Sequence, residues 1–181
     1  MAIAFANLGA SANPDINSGT DASSYSNSSW TPPTSGLIIV YVVGRRVAAL
    51  DTPTMSGNNL TWTLIAGPLN MGSGNTGISL FAADATGSTA GVTTVDWGGN
   101  TQTSCIASFF QATGVDLSGG VAAAFVQAPT NIGTGTTGTV TLAAAGAAGN
   151  RPIVGFNHSV NEASAPRVNW TELDDLAGAG N

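Results

Sequence analysis

Few residues in this chain have side chains that could do chemistry. His158 is the single histidine and Cys105 the single cysteine of 181 residues. A nucleophile–base pair would have to be built from these two, or from a serine near His158. No Gly-x-Ser-x-Gly elbow occurs, and Cys105 lies in an apolar run where a thiol is ordinarily buried and inert. One histidine and one cysteine are too few for a His/Cys metal centre. The stretch Asp15-Ile16-Asn17-Ser18-Gly19-Thr20-Asp21 alternates oxygen-bearing side chains as a calcium loop does, but the closing bidentate acid would fall on Ser26. It reads as a series of Asx turns.

Two segments, Gly72-Ser73-Gly74-Asn75-Thr76-Gly77 and Gly133-Thr134-Gly135-Thr136-Thr137-Gly138, match the spacing of a dinucleotide-binding turn. That chemistry needs a helix opening after the glycines, so that backbone amides meet the pyrophosphate. Strand-like sequence follows both, which makes them hairpin turns. Glu172, Asp174 and Asp175 form the densest acidic cluster, and carboxylates adjoining in sequence read as a solvated turn rather than a pair facing across a cleft. The chain is therefore expected to be no enzyme, with no catalytic residue, no cofactor and no metal.

Composition limits the partners. Four arginines and no lysine stand against ten acids, a net charge of −6. Four cations do not build the basic stripe that phosphate neutralisation requires, so neither nucleic acid nor an anionic membrane surface is an expected partner. The longest apolar run, residues 37–43, is far short of the ~20 residues of a spanning helix. The first five residues have neither the basic start nor the apolar length of a signal peptide.

The elements read as strands. From residue 37 onward, short apolar bursts rich in Val, Ile, Thr, Trp and Phe are separated by glycine turns: 37–43, 60–65, 78–82, 92–97, 105–110, 121–126, 140–142, 153–156 and 168–170. No window carries a sustained helical apolar stripe. The expected fold class is all-β, an antiparallel β-sandwich, jelly-roll-like, over residues 37–181. Residues 1–36 are rich in Ser, Asn and Pro and read as an extended N-terminal arm with Phe5, Tyr25 and Trp30 as isolated anchors. The run at 37–43 is apolar on both faces, so its second face needs a cover.

The buried run Leu37-Ile38-Ile39-Val40-Tyr41-Val42-Val43, the segment Asn59-Leu60-Thr61-Trp62-Thr63-Leu64, the strand Ile78-Ser79-Leu80-Phe81-Ala82, the phenylalanine pair Phe109-Phe110 leading to Gly114-Val115-Asp116, and Asn169-Trp170-Thr171-Glu172-Leu173 follow in a fixed order. In that order the chain resembles small β-sandwich structural proteins of tailed-bacteriophage virions, of the decoration or head-fibre kind. The resemblance spans residues 37–175 and rests on packing motifs. It implies a virion component made in the host cytoplasm and bound to the outside of the shell, with the major capsid protein or other virion proteins as partners. Members of that family continue into a further closing strand, whereas here the sequence stops at Ala177-Gly178-Ala179-Gly180-Asn181, so the expectation is either that the sequence is incomplete or that a partner supplies the missing strand.

The scarcity of charge and the abundance of Thr, Ser, Ala and Gly agree with broad contacts between subunits, because long charged side chains are costly to order or desolvate. The expected interface residues are Phe5, Tyr25, Trp30, Leu37, Ile39, Tyr41 and Val43, in a homo-oligomer that a trimer would suit. The alternative is a carbohydrate-binding sandwich of a tail fibre or adhesin, with Trp30, Trp62, Trp97 or Trp170 as a stacking platform.

Overall fold

The structure is a computed structural model that describes residues 2–71, 75–133, 139–157 and 168–174. Nine strands occur among the described residues. They are β1 (Ala4–Asn7), β2 (Ile16–Ser18), β3 (Ser24–Ser26), β4 (Leu37–Arg45), β5 (Thr54–Gly57), β6 (Thr63–Met71), β7 (Thr76–Asp84), β8 (Thr93–Asp96) and β9 (Ser104–Thr113). Among the described residues helix is confined to the turn α1 (Gly9–Ala12) and a 3-10 turn at Ala122–Ala124. The expected all-β antiparallel sandwich is what forms.

The larger sheet runs β1-β9-β4-β7-β6, with β2 also on β9, and the smaller runs β3-β8-β5; all pairings are antiparallel. The strand β4 is central because it is apolar at every position from 37 to 43, so each face can be buried. Its register sets Val40 opposite both Phe81 and Phe109. Period-2 alternation then turns Ile38, Val40 and Val42 toward the smaller sheet, where they meet Tyr25, Val95 and Trp97 in the inter-sheet core. Trp97 packs so close to β4 that a Cβ at Gly44 would overlap its ring, so glycine at 44 is what admits the indole. Trp30 and Trp62 both stand edge-on to Phe109, at centroid distances of 5.6 and 6.2 Å.

Residues 4–36 do not form a separate arm, which corrects the expectation from composition. β1 and β2 lengthen one edge of the larger sheet along β9, and β3 joins β8. Tyr25 and Trp30 are buried in the inter-sheet core with Leu8 and Ile16. Polar composition misled because these strands are three or four residues long and one large side chain in each supplies the burial. A buried polar network fixes the rest. Asn27 donates to the Pro14 carbonyl at 2.7 Å and accepts the Thr93 amide at 2.7 Å. The Trp30 indole donates to the Thr93 hydroxyl at 3.1 Å, and that hydroxyl donates to Asn58 Oδ1 at 2.6 Å. The Asn58 amide group faces the Thr89 and Gly91 carbonyls at 3.2 and 3.1 Å. Each partner is satisfied, as burial in low dielectric demands.

The second face of β4 is covered by the chain itself rather than by a neighbouring copy. Leu37, Ile39, Ala82, Phe110 and Ala112 form an outer cluster, against which Phe5, Val115, Leu117, Val121, Ala124, Phe125, Ile153 and Leu173 pack. The 3-10 turn lays Val121 and Ala124 on this face, where a strand at 121–126 was expected. The bursts at 140–142, 153–156 and 168–170 also form no strand. Glycine and alanine around them offer little apolar area to hold a ladder against the entropy of ordering it.

Candidate functional site

Six of the seven expected interface residues divide between two interior layers. Tyr25 and Trp30 belong to the inter-sheet core; Leu37 and Ile39 are buried in the outer cluster, with Phe5 and Tyr41 packed on it. Burial raises the Tyr41 phenol, and the ring is crossed by Gly155, where a Cβ would overlap it. Val43 is partly exposed on the same strand face. Tyr25, Trp30, Leu37 and Ile39 therefore contribute stability inside one chain and offer little surface to a partner.

The tryptophans do not make a stacking platform. Trp30 and Trp97 are buried, and Trp62 is partly buried in edge contact with Phe109. Trp170 is 45% exposed, and it has no second exposed tryptophan beside it among the described residues. Cys105 is buried, and burial pushes its thiol up to about 12. A thiol held that high carries almost no thiolate near neutrality. His158, Asp175 and residues 177–181 lie outside the described residues, as do parts of both glycine-rich segments.

The stretch 15–21 is used by the fold. Ile16–Ser18 is β2, and the Asp15 carboxylate accepts the Phe109 amide at 3.0 Å. Burial, opposed by that hydrogen bond and aided by the charge of Asp174, raises Asp15 to about 6. Of the expected acidic turn, Glu172 is exposed, and Leu173 is held by Asn7, whose amide donates to its carbonyl at 2.9 Å. No cluster of three or more His, Cys, Asp or Glu side chains suited to a metal occurs among the described residues. No helix among them is long and apolar enough to cross a membrane. Arg46 donates to Asp51 at 2.7 Å, which neutralises one of the four cations locally.

Two surface features remain. An open groove of about 350 Å³ is lined by Asn59, Thr61, Thr63, Asp84, Thr86 and Val121. Its polar groups are partly spent on its own walls: Asn59 donates to the Gly87 carbonyl at 2.9 Å and Asp84 accepts the Thr86 amide at 2.9 Å. The other feature is a loop beyond the sandwich, in which residues 126–132 and 139–144 run side by side. Gln127 clamps it. The side-chain carbonyl accepts the Ala143 and Ala144 amides at 2.7 and 3.2 Å, and its NH2 donates to the Ala144 carbonyl at 2.9 Å. Asn131 adds a hydrogen bond to the Thr139 carbonyl at 2.6 Å. Side-chain amides thus hold the two passes together where a strand ladder would use backbone groups.

The clamped loop displays aliphatic side chains to solvent. Val126 is 70% exposed, Ile132 48%, Val140 45% and Leu142 48%. Single exposed aliphatics need no explanation; here four fall on the two facing passes of one uncharged stretch. Sequence reasoning missed this site because it assigned 140–142 to the sandwich. One signal was available: residues 117–150 contain no Asp, Glu, Lys, Arg or His. No family model matches the chain, and no curated protein or solved structure matches it.

Proposed function

We propose that this chain is a non-enzymatic structural component of an assembled particle, a decoration or head-fibre protein on the outer shell of a phage-like virion. The observation that carries the reading is that Val126, Ile132, Val140 and Leu142 project into solvent from a stretch, 117–150, whose sequence has no ionisable side chain. Such a surface suits a subunit contact: interface cores are depleted in charge, and burying aliphatic side chains from both partners drives association. The β-sandwich beneath it supports the same role. The buried polar network and the doubly covered β4 fix its shape, with Cys105 buried in the core and Asp15 bonded to the Phe109 amide. The resemblance of residues 37–175 to tailed-phage sandwich proteins supplies the virion as the particle.

The test is to purify particles from the source of this sequence by density gradient and measure this chain in the particle band by quantitative mass spectrometry. A structural shell component is expected in fixed stoichiometry to the major shell protein, and accessible on intact particles to an antibody against the folded chain. A chain found only in the unassembled fraction would overturn the reading.

A further inference from the structure

We infer that the clamped loop, residues 126–132 and 139–144, is the surface through which copies of this chain associate with one another. This deepens the assembly reading and rests on it, by assigning the loop to self-contact rather than to the shell.

Charge selects the occupant. Each copy carries a net charge of −6, so most approaches of one copy to another set acid against acid with few arginines to compensate. The stretch 117–150 carries no ionisable side chain, so two copies meeting there bring none of its own charge into contact. A basic partner would find no acid on the loop to pair with, and an acidic partner no cation. The surface is complementary to an uncharged aliphatic one, which is what it presents itself.

Local sequence selects the mode of contact. Thr139-Val140-Thr141-Leu142 alternates polar and aliphatic residues as a half-buried strand does, yet forms no strand within the chain. The Gln127 and Asn131 clamps take the Thr139 carbonyl and the backbone of Ala143 and Ala144. They tie its two ends to the facing pass of the loop, so that less order has to be gained on contact. Alanine and glycine follow at 143–149 and let a second backbone approach closely. The same segment of another copy can lie antiparallel to 139–142 and set Val140 of each copy against Leu142 of the other, a self-complementary contact of the kind twofold symmetry produces.

The experiment is sedimentation equilibrium of the full chain beside two variants, Val140→Ser with Leu142→Ser, and Gln127→Ala. Near-ultraviolet dichroism of the buried Trp30 and Trp97 reports whether each keeps its sandwich. The native chain is expected to associate at micromolar concentration, and no more weakly at about 0.5 M than at about 0.05 M salt, because the uncharged contact is not screened while the repulsion between two chains of charge −6 is. The double variant should dissociate at concentrations at least about tenfold higher than the native chain does, which is about 1.4 kcal/mol or more, with its tryptophan signal intact. Gln127→Ala should be weakened in the same direction. A native chain that stays monomeric, a double variant that associates as the native chain does, or association that salt dissolves would each overturn the inference. If the chain is monomeric in solution but present in the particle band, this inference fails and the assembly reading stands. If it associates through the loop but is absent from particles, the reading fails instead.

Discussion

The carboxylate of Asp15 accepts the backbone N–H of Phe109 at 3.0 Å, while the Phe109 carbonyl takes the amide of Leu8 at 2.9 Å. β1 ends before this point and β2 begins after it, so the two groups stand where a strand residue would complete the ladder on β9. The turn α1 bridges the gap, and Gly9 lies so close to Asp15 that a Cβ there would overlap the carboxylate. The N-terminal segment is thereby joined to the sheet by an ionisable group.

That arrangement predicts a pH dependence. Asp15 is raised from 3.8 to about 6, so the folded state holds its proton more tightly than the unfolded chain. The favourable contribution is present below about 4 and is lost as pH rises through about 6. Asp15→Asn keeps an oxygen for the Phe109 amide and removes the buried charge. Urea denaturation should find it more stable than the native chain at pH 7, by an amount on the order of 1 kcal/mol after allowance for partial exposure. The two should converge near pH 4.

The polar network beneath Trp30 predicts a larger loss. Thr93→Val preserves shape but removes the hydroxyl that accepts from the Trp30 indole and donates to Asn58. Two buried groups lose their partner, each at about 1–3 kcal/mol. Denaturant unfolding should show a fall of roughly 2–5 kcal/mol, with N-terminal amides among those losing exchange protection.

Ile39 separates packing from association. It is buried under residues of the same chain, so Ile39→Ala should lower stability by about 2–5 kcal/mol. Sedimentation at a temperature where the variant remains folded should give the native molar mass. A change in mass with unchanged stability would return β4 to the subunit interface.

Cys105 should be unreactive in the folded chain. Buried and held near 12, its thiol is expected to react with an aromatic disulfide reagent only as fast as the protein opens. Reaction at the rate of a free thiol would contradict the placement of β9.

The sandwich was legible where bursts were long and β-branched or aromatic: the runs at 37–43, 78–82, 92–97 and 105–110 lie on β4, β7, β8 and β9. The first 36 residues were not, because β1 to β3 are only three or four residues long and join the sheets by single anchors such as Tyr25, with long-range bonds such as the Thr93 amide to Asn27 nearby. The bursts at 140–142 and 153–156 were legible as strand-type sequence, but propensity does not say whether a partner strand exists. For the contact loop, the missing charge could be read directly from residues 117–150. Its clamp could not, because the bonds of Gln127 to Ala143 and Ala144 depend on how the chain returns on itself.

The central claim is that the uncharged loop is covered by another copy of the chain, and amide hydrogen exchange tests it most directly. Exchange of residues 139–144 would be followed in the native chain at low and at high concentration. The account predicts that these amides gain protection as concentration rises through the association range, while those of β4 and β9 stay equally protected throughout. Association with unchanged exchange at 139–144, or new protection confined to another surface, would contradict it.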